Sequence, residues 1–107
     1  MNYFRRNKFS AKRTFSELCG REFDSKAEAR RGEELKLLEM AGEIMNLQYQ
    51  VPFQLCLKPN IKLKVDFVYK FNGDIVHEDS KGILTREFRV KMAWLKEQQG
   101  IDVWITK

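Results

Sequence analysis

Hydrophobic and polar residues alternate along one segment of the chain with the period of a β-hairpin. Two β-rich runs, residues 61–70 and 75–79, flank the dipeptide Asn72-Gly73. Asn-Gly between such runs predicts a two-residue type I′ turn, because both central residues of that turn need a positive φ. The pattern therefore predicts two antiparallel strands and also the register in which they pair.

In this register two acidic residues face each other across the hairpin. Asp66 lies opposite Asp79 and Lys64 lies opposite Lys81, and alternation puts all four side chains on one face. Facing carboxylates repel each other, but a cation that takes oxygen ligands, such as Mg²⁺ or Mn²⁺, would relieve the repulsion. Lys81 could orient an attacking water or offset charge on a phosphorane, which indicates phosphodiester chemistry. His77 shares this face as either a proton shuttle or an ordinary polar strand residue.

A helix is predicted from Ser25 to about Met45, and it contains two candidates for a third carboxylate. Ser25-Lys-Ala-Glu28 has the form of a capping box, in which Glu28 needs no function beyond capping, although the helix dipole also favours an anion there. Glu34 is the alternative, because a helical wheel places it within the apolar stripe, where an unpaired charge is costly. The stripe consists of Leu35, Leu38, Ala41 and Met45.

The other elements complete an α/β order. Residues 47–57 predict a strand whose odd-numbered residues form its buried face, and Pro52 favours an edge or a bulge. Residues 85–99 predict a second helix, and residues 101–105 predict a last strand. The inward residues of the second helix are Phe88, Met92 and Leu95, and Gly100 ends it. The predicted order is αβββαβ.

Charge divides the 107-residue chain into a basic arm, residues 1–22, and a single domain, residues 23–107. Residues 1–31 hold nine lysines and arginines against four acids, which accounts for the whole net charge of +5. An excess of positive charge in one segment indicates contact with a polyanion such as nucleic acid, although solubility is the simpler explanation. The arm is ambiguous in structure, and one interpretation is a short helix over residues 12–18 that ends at Gly20.

Several basic residues are candidates for binding nucleic acid. They are Arg5, Arg6, Lys8, Lys12, Arg13, Arg30, Lys64, Arg86 and Arg89. Cys19 and Cys56, with a single histidine, do not make a usual zinc site, so free thiols are expected. The chain has neither a membrane-length apolar run nor the apolar stretch of a signal peptide, so a cytoplasmic location is expected.

Asp66 followed by Asp79-Ser-Lys81-Gly82 resembles the motif of the PD-(D/E)XK nucleases, whose core has a mixed central sheet flanked by helices in the same αβββαβ order. Ser25-Lys-Ala-Glu28 resembles the S-x-x-E of the phage endonuclease I resolvases and of transposon endonucleases of the TnsA type. The run from residue 23 to residue 105 is similar to a family of small phage proteins, and Gln50-Val-Pro-Phe53 resembles the strand that follows the first helix. This chain departs from the motif in having Val65 where proline often precedes the first aspartate.

The resemblance implies a metal-dependent DNA endonuclease. Glu28, Asp66 and Asp79 would bind Mg²⁺ or Mn²⁺, and Lys81 would be the catalytic lysine, which favours Glu28 over Glu34. The implied substrate is branched DNA, including Holliday junctions formed in DNA recombination, and two cuts imply a homodimer. A weakly selective nuclease on linear DNA and a non-catalytic nucleic-acid-binding module on the same fold remain the alternatives.

Overall fold

The computed structural model of the protein describes residues 12–106. Its elements are β1 Thr14–Ser16, β2 Arg21–Phe23, α1 Lys26–Met40, β3 Met45–Cys56, β4 Ile61–Phe71, β5 Asp74–Ser80, α2 Arg86–Gln99 and β6 Val103–Thr106. The predicted αβββαβ order is confirmed for the segment from α1 to β6. A short hairpin, β1–β2, precedes it.

The four longer strands form a mixed sheet in the order β3-β4-β5-β6. The β3–β4 and β4–β5 pairs are antiparallel, and β5 pairs with β6 in parallel. The predicted β4–β5 register is confirmed, since Phe67 pairs with Glu78 and Phe71 pairs with Asp74. Asn72 and Gly73 have φ values of 51° and 84°, as a type I′ turn requires.

Each helix covers one hydrophobic cluster, and the two clusters lie on opposite faces of the sheet. Adjacent residues of β4 show this division, since Phe67 belongs to one cluster and Val68 to the other. The α1 cluster consists of Phe23, Ala29, Leu35, Ile44, Phe67 and Tyr69. The α2 cluster consists of Leu55, Leu63, Val65, Val68, Phe88 and Leu95.

The strand β3 changes the face it buries at Gln50. Tyr49 packs against the α1 cluster, whereas Val51 packs against the α2 cluster, although strict alternation would put both on one face. Gln50, between them, has a φ of 53°, in the left-handed region that residues other than glycine seldom adopt. The single buried face predicted for this strand is therefore wrong. The paired strand β4 changes face at the same level, since Val65 belongs to the α2 cluster and Phe67 to the α1 cluster.

Two predicted element boundaries and one predicted element type are also wrong. The first helix ends at Met40 instead of about Met45, and Gly42 follows with a φ of 81°. Leu57 lies beyond the end of β3 and is 77% exposed instead of buried. Residues 12–18 contain β1 instead of a helix, because they pair with β2.

The β1–β2 hairpin packs on α1. The Oγ atom of Ser16 donates to Oε2 of Glu33 at 2.6 Å, and Arg21 lies over the rings of Phe23 and Tyr49. Cys19 and Cys56 are free thiols. Among residues 12–106, neither helix is long and apolar enough to cross a membrane.

Candidate metal and nucleic-acid site

The start of α1 carries Glu28 into the interior. Ser25 is the N-cap, and its Oγ accepts the backbone N–H of Glu28 at 3.1 Å, as the capping motif predicted. Gly32 lets the helix approach closely, since a Cβ there would lie 2.7 Å from Cζ of Phe23. The expectation that Glu34 points into the apolar stripe is wrong. Its side chain is 55% exposed and pairs with Arg31 at 2.9 Å, because the buried stripe of α1 runs through Glu28, Ala29, Gly32 and Leu35.

Asp66 and Asp79 meet where the β4–β5 ladder ends. Beyond the pair of Phe67 with Glu78, each aspartate accepts a backbone N–H from the other strand. The N–H of Asp66 donates to Oδ1 of Asp79 at 2.9 Å, and the N–H of Ser80 donates to Oδ2 of Asp66 at 3.0 Å. The facing arrangement expected from the hairpin register is thus present, with the two carboxylates inserted between the strands.

The pKa values of all three carboxyl groups are raised. Burial, followed by the negative charge of Asp66, raises the pKa of Glu28 to about 8. Burial, followed by the charge of Asp79, raises the pKa of Asp66 to about 6, and burial also raises the pKa of Asp79. The three groups therefore lie close enough to interact, and the charge of Lys81, which lowers the pKa of both aspartates, does not offset the effect of their burial.

Gln50 lies between two of these carboxyl groups. Its Nε2 donates to Oε2 of Glu28 at 2.5 Å and to Oδ1 of Asp66 at 3.1 Å. The residue is opposite Asp66 in the β3–β4 register, since it lies between the paired residues Tyr49 and Val51. A strand residue and a helix residue are thus joined through one side-chain amide.

Lys81 approaches the same cluster from the end of β5. Its backbone N–H donates to the carbonyl of Thr106 at 2.9 Å, which ties the residue to β6. Its Nζ lies 3.5 Å from Oδ2 of Asp79 and 4.7 Å from the centre of the Phe88 ring. The ammonium group is held between a carboxylate and an aromatic face, beside the aspartate pair.

These residues surround an open pocket of about 750 Å³. Glu28, Gln50, Asp66 and Lys81 line its acidic part, and three further lysines, Lys62, Lys64 and Lys91, also line it. Asp79 lies behind these residues and is completely buried. The pocket therefore combines a buried acidic centre with lysines at its margin. Asp24 and Glu87 also line it, and Glu87 pairs with Lys91 at 3.1 Å.

The donor set fits a hard divalent cation, although its side chains are turned to other partners. Within residues 12–106, no group of three His, Cys, Asp or Glu side chains stands ready to hold a metal. Amide and backbone N–H groups occupy oxygens of Glu28 and Asp66, whereas Oδ2 of Asp79, among the described atoms, is buried without a hydrogen bond. Nζ of Lys81 lies 3.5 Å from this oxygen, and carboxylates are the ligands that Mg²⁺ and Mn²⁺ prefer.

Lys62 and Lys91 also line a neighbouring groove of about 550 Å³ beside α2. Arg86, Val90 and Trp94 form much of the remaining wall. The groove continues the basic margin of the pocket along the helix and adds apolar and aromatic surface to it. Such a combination suits a nucleic-acid strand, whose phosphates need cations and whose bases stack on aromatic rings.

The other sequence candidates are distributed unevenly. Lys64 lines the pocket and Arg86 lines the groove, whereas Arg30 and Arg89 are exposed on the helices. His77 packs edge-on against the Phe53 ring, and burial lowers its pKa. It is not among the described residues that line the pocket.

The described part of the basic arm holds two of its candidates. Lys12 is exposed, and Arg13 pairs with Glu22 and Asp24 at 3.0 and 2.9 Å. Arg5, Arg6 and Lys8 lie outside the described residues.

The sequence interpretation assigned no role to Gln50 or Lys62. Alternation gave no signal for Gln50, because it occupies a polar position of the strand in the same way as Gln48 and Gln54. Its contact with Glu28 was not readable, since that contact spans 22 positions along the chain. Lys62 looks like an ordinary solvated lysine until α2 packs beside β4, whereas Lys91 belongs to the basic residues of the second helix that could track phosphates or face solvent.

Comparison with known proteins places the chain in one family. Residues 6–107 match the family model described as "Protein of unknown function (DUF1064)", so the chain belongs to that family. No curated protein and no solved structure matches it.

Proposed function

We propose that this DUF1064 protein is a divalent-metal-dependent DNA endonuclease that hydrolyses phosphodiester bonds, with branched DNA as its preferred substrate. The observation that carries the proposal is the convergence of Glu28, Asp66 and Asp79, from three different elements, beside the ammonium group of Lys81. These are the residues expected from the resemblance to the PD-(D/E)XK nucleases. Burial of so many like charges is unfavourable in a protein whose only need is stability.

Mg²⁺ or Mn²⁺ would be held by Glu28, Asp66 and Asp79, and when bound it would polarise a phosphate oxygen and acidify a water. The chain itself supplies the remaining functions. Lys81, fixed by its contacts with Thr106, Asp79 and Phe88, would orient the attacking water and offset charge on the phosphorane. The lysines of the pocket margin would hold the phosphates on either side of the scissile bond.

The shape of the basic surface supports a nucleic-acid substrate. Lys62 and Lys91 line both the pocket and the groove along α2, so a strand that passes the acidic centre and enters the groove would meet these lysines and Arg86. The preference for branched DNA follows from the resemblance to the phage endonuclease I resolvases. Resolution of a junction needs two cuts, so we propose a homodimer that acts in the cytoplasm, the host cytoplasm if the protein is phage-encoded.

The proposal is tested with a four-way junction and a linear duplex of the same sequence. Each is incubated with purified protein in Mg²⁺, in Mn²⁺ and in EDTA, and products are resolved on denaturing gels. We expect the junction to be cut faster than the duplex in either metal, and neither to be cut in EDTA. Lys81→Met is the matched control, because it removes the ammonium and keeps an apolar stem against Phe88.

Each other outcome selects a different function. Equal cutting of both substrates would leave a nuclease and remove the preference for branched DNA. Binding of DNA without cutting in either metal would support the non-catalytic module instead. Equal activity of wild type and Lys81→Met would point to a contaminating nuclease or to a mechanism without this lysine.

A further inference from the structure

One side-chain amide stands where a cation would be expected between two buried carboxyl groups. Nε2 of Gln50 contacts an oxygen of Glu28 and an oxygen of Asp66 at 2.5 and 3.1 Å, inside the pocket. An NH₂ group carries only partial positive charge. It satisfies the hydrogen-bonding needs of two acids without neutralising them, and the pKa values of both remain raised.

The backbone at Gln50 has an unusual conformation. Its φ of 53° lies within a strand and not at a turn, in a region that is unfavourable for residues other than glycine. At the same residue β3 changes the face that it buries, so that the amide enters the pocket between Tyr49 and Val51. Strain of this kind persists where the surrounding structure requires it, and it is concentrated at functional sites.

We propose that Gln50 is a metal ligand: its amide occupies the cation's place in the metal-free protein and turns when Mg²⁺ or Mn²⁺ enters, presenting Oε1 beside Glu28 and Asp66. The inference rests on the proposed metal site. The terminal torsion of a glutamine is soft, so a half-turn exchanges its N–H donors for a carbonyl oxygen with little other movement. Side-chain amide oxygens are ordinary ligands of hard cations.

The present orientation of the amide leaves the ligand set incomplete. Oxygens of Glu28 and Asp66 accept N–H donors, and the described residues hold no group of three His, Cys, Asp or Glu side chains that could hold a metal by themselves. Oxygen donors on Gln50, Glu28 and Asp66 converge on one point only after the amide has turned. A glutamine that merely satisfies two buried acids would instead compete with the cation.

If Gln50 is a metal ligand, Gln50→Met should weaken Mn²⁺ binding, whereas if Gln50 only satisfies the two acids and competes with the cation, the substitution should leave binding unchanged or strengthen it. The substitution keeps the length of the side chain and removes both amide atoms. The test is to measure Mn²⁺ binding at pH 8 by calorimetry for wild type, Gln50→Met and Gln50→Glu. Thermal melting of each protein in EDTA verifies that it folds. A ligand role predicts affinity about 10-fold or more weaker for Gln50→Met. It also predicts affinity at least equal to wild type for Gln50→Glu, which retains an oxygen and adds charge. Unchanged or tighter binding by Gln50→Met would overturn the inference.

A second measurement on the wild-type chain does not depend on whether a variant folds. In ¹⁵N-labelled protein the side-chain NH₂ resonances of Gln50 should shift on titration with Mg²⁺, because both hydrogen bonds to carboxylates are lost. Resonances that stay in place while Mg²⁺ binds would overturn the inference. Failure of wild type to bind Mn²⁺ at all would instead reject the proposed metal site, and with it the nuclease.

Discussion

Glu78 and Asp79 are neighbours in the sequence and both are 0% exposed, yet they differ in how completely hydrogen bonds and charges satisfy their carboxylates. Alternation along β5 sends Glu78 to the α1 face and Asp79 to the pocket side. One carboxylate is neutralised and the other is not. The difference separates a buried acid that holds the fold together from one that is available for chemistry.

The surroundings of Glu78 satisfy its charge. Arg31 donates to both of its oxygens, through Nε at 2.5 Å and Nη2 at 3.1 Å. The hydroxyl of Tyr69 donates at 2.6 Å, and that of Thr106 at 3.3 Å. The network joins α1, β4, β5 and β6 and thereby fixes the helix that carries Glu28.

The surroundings of Asp79 leave its charge partly unmet. Its Oδ1 accepts one backbone N–H. Its Oδ2 has no hydrogen-bond partner among residues 12–106 and lies 3.5 Å from Nζ of Lys81. Burial raises its pKa, and Asp66 and Glu28 add two more acids nearby. A buried carboxylate is therefore informative about function only when its partners have been examined.

The largest effect is expected for Asp79→Asn, which should reduce the cleavage rate about 10³-fold, because a lost electrostatic partner of the transition state costs this much. The unfolding free energy in EDTA should stay within about 1 kcal/mol of wild type or rise, since the amide removes a charge that burial disfavours. Cleavage kinetics and urea unfolding measure the two quantities. Asp74→Asn, an exposed acid on the same strand, is the control and should change neither. A large loss of stability with normal cleavage would make Asp79 structural.

Glu78→Gln should have the opposite effect. It leaves Arg31 without its buried partner and should lower the unfolding free energy by about 2–4 kcal/mol, slightly less than for a fully buried pair. The matched control is Glu34→Gln, which removes the exposed partner of the same arginine and should change stability by less than about 1 kcal/mol. Urea unfolding in EDTA gives both values. Similar losses for the two variants would show that burial adds nothing to the contribution of Glu78 over that of the exposed Glu34.

The acidic cluster should make the metal-free protein less stable as pH rises. The pKa values of Glu28 and Asp66 are raised to about 8 and about 6, from 4.5 and 3.8. Their protons are therefore bound more tightly in the folded state, so stability present at low pH is lost as pH rises towards 8. Cleavage should rise over the same range, because cation binding requires the ionised carboxylates.

Urea unfolding in EDTA from pH 5 to pH 8 measures this loss as the difference between wild type and Glu28→Gln. The difference is needed because the lowered pKa of His77 acts in the opposite direction. A difference that does not vary with pH would show that Glu28 is not buried as an acid.

The smallest expected effect is on DNA binding, and it should differ between two arginines of α2. Arg86 lines the groove beside the pocket, whereas Arg89 is exposed elsewhere on the helix. Arg86→Ala should weaken DNA binding and lower the slope of log affinity against log salt by about 0.9, the loss of one phosphate contact. Arg89→Ala should have less effect on both. Fluorescence anisotropy over a range of salt concentrations measures the slopes, and a larger change for Arg89 would move the DNA path off the groove.

Local patterns in the sequence were sufficient for the facing aspartates. Asn72-Gly73 demands a two-residue turn, the turn sets the β4–β5 register, and the ladder ends at the pair of Phe67 with Glu78, beyond which Asp66 and Asp79 meet. The capping motif likewise identified the start of α1, and Gly100 ends α2 in the left-handed conformation. Each of these features depends on residues that are close in the chain, so its chemistry is readable there.

The tertiary structure alone decided which acids are neutralised and what lies between them. Arg31 reaches Glu78 across 47 positions, and Gln50 reaches Glu28 across 22. The face change at Gln50 is also a tertiary effect, because two hydrophobic clusters on opposite sides of the sheet compensate for one unfavourable φ. Local alternation has no information about either cluster. It therefore predicted one continuous buried face and overlooked the amide at the centre of the site.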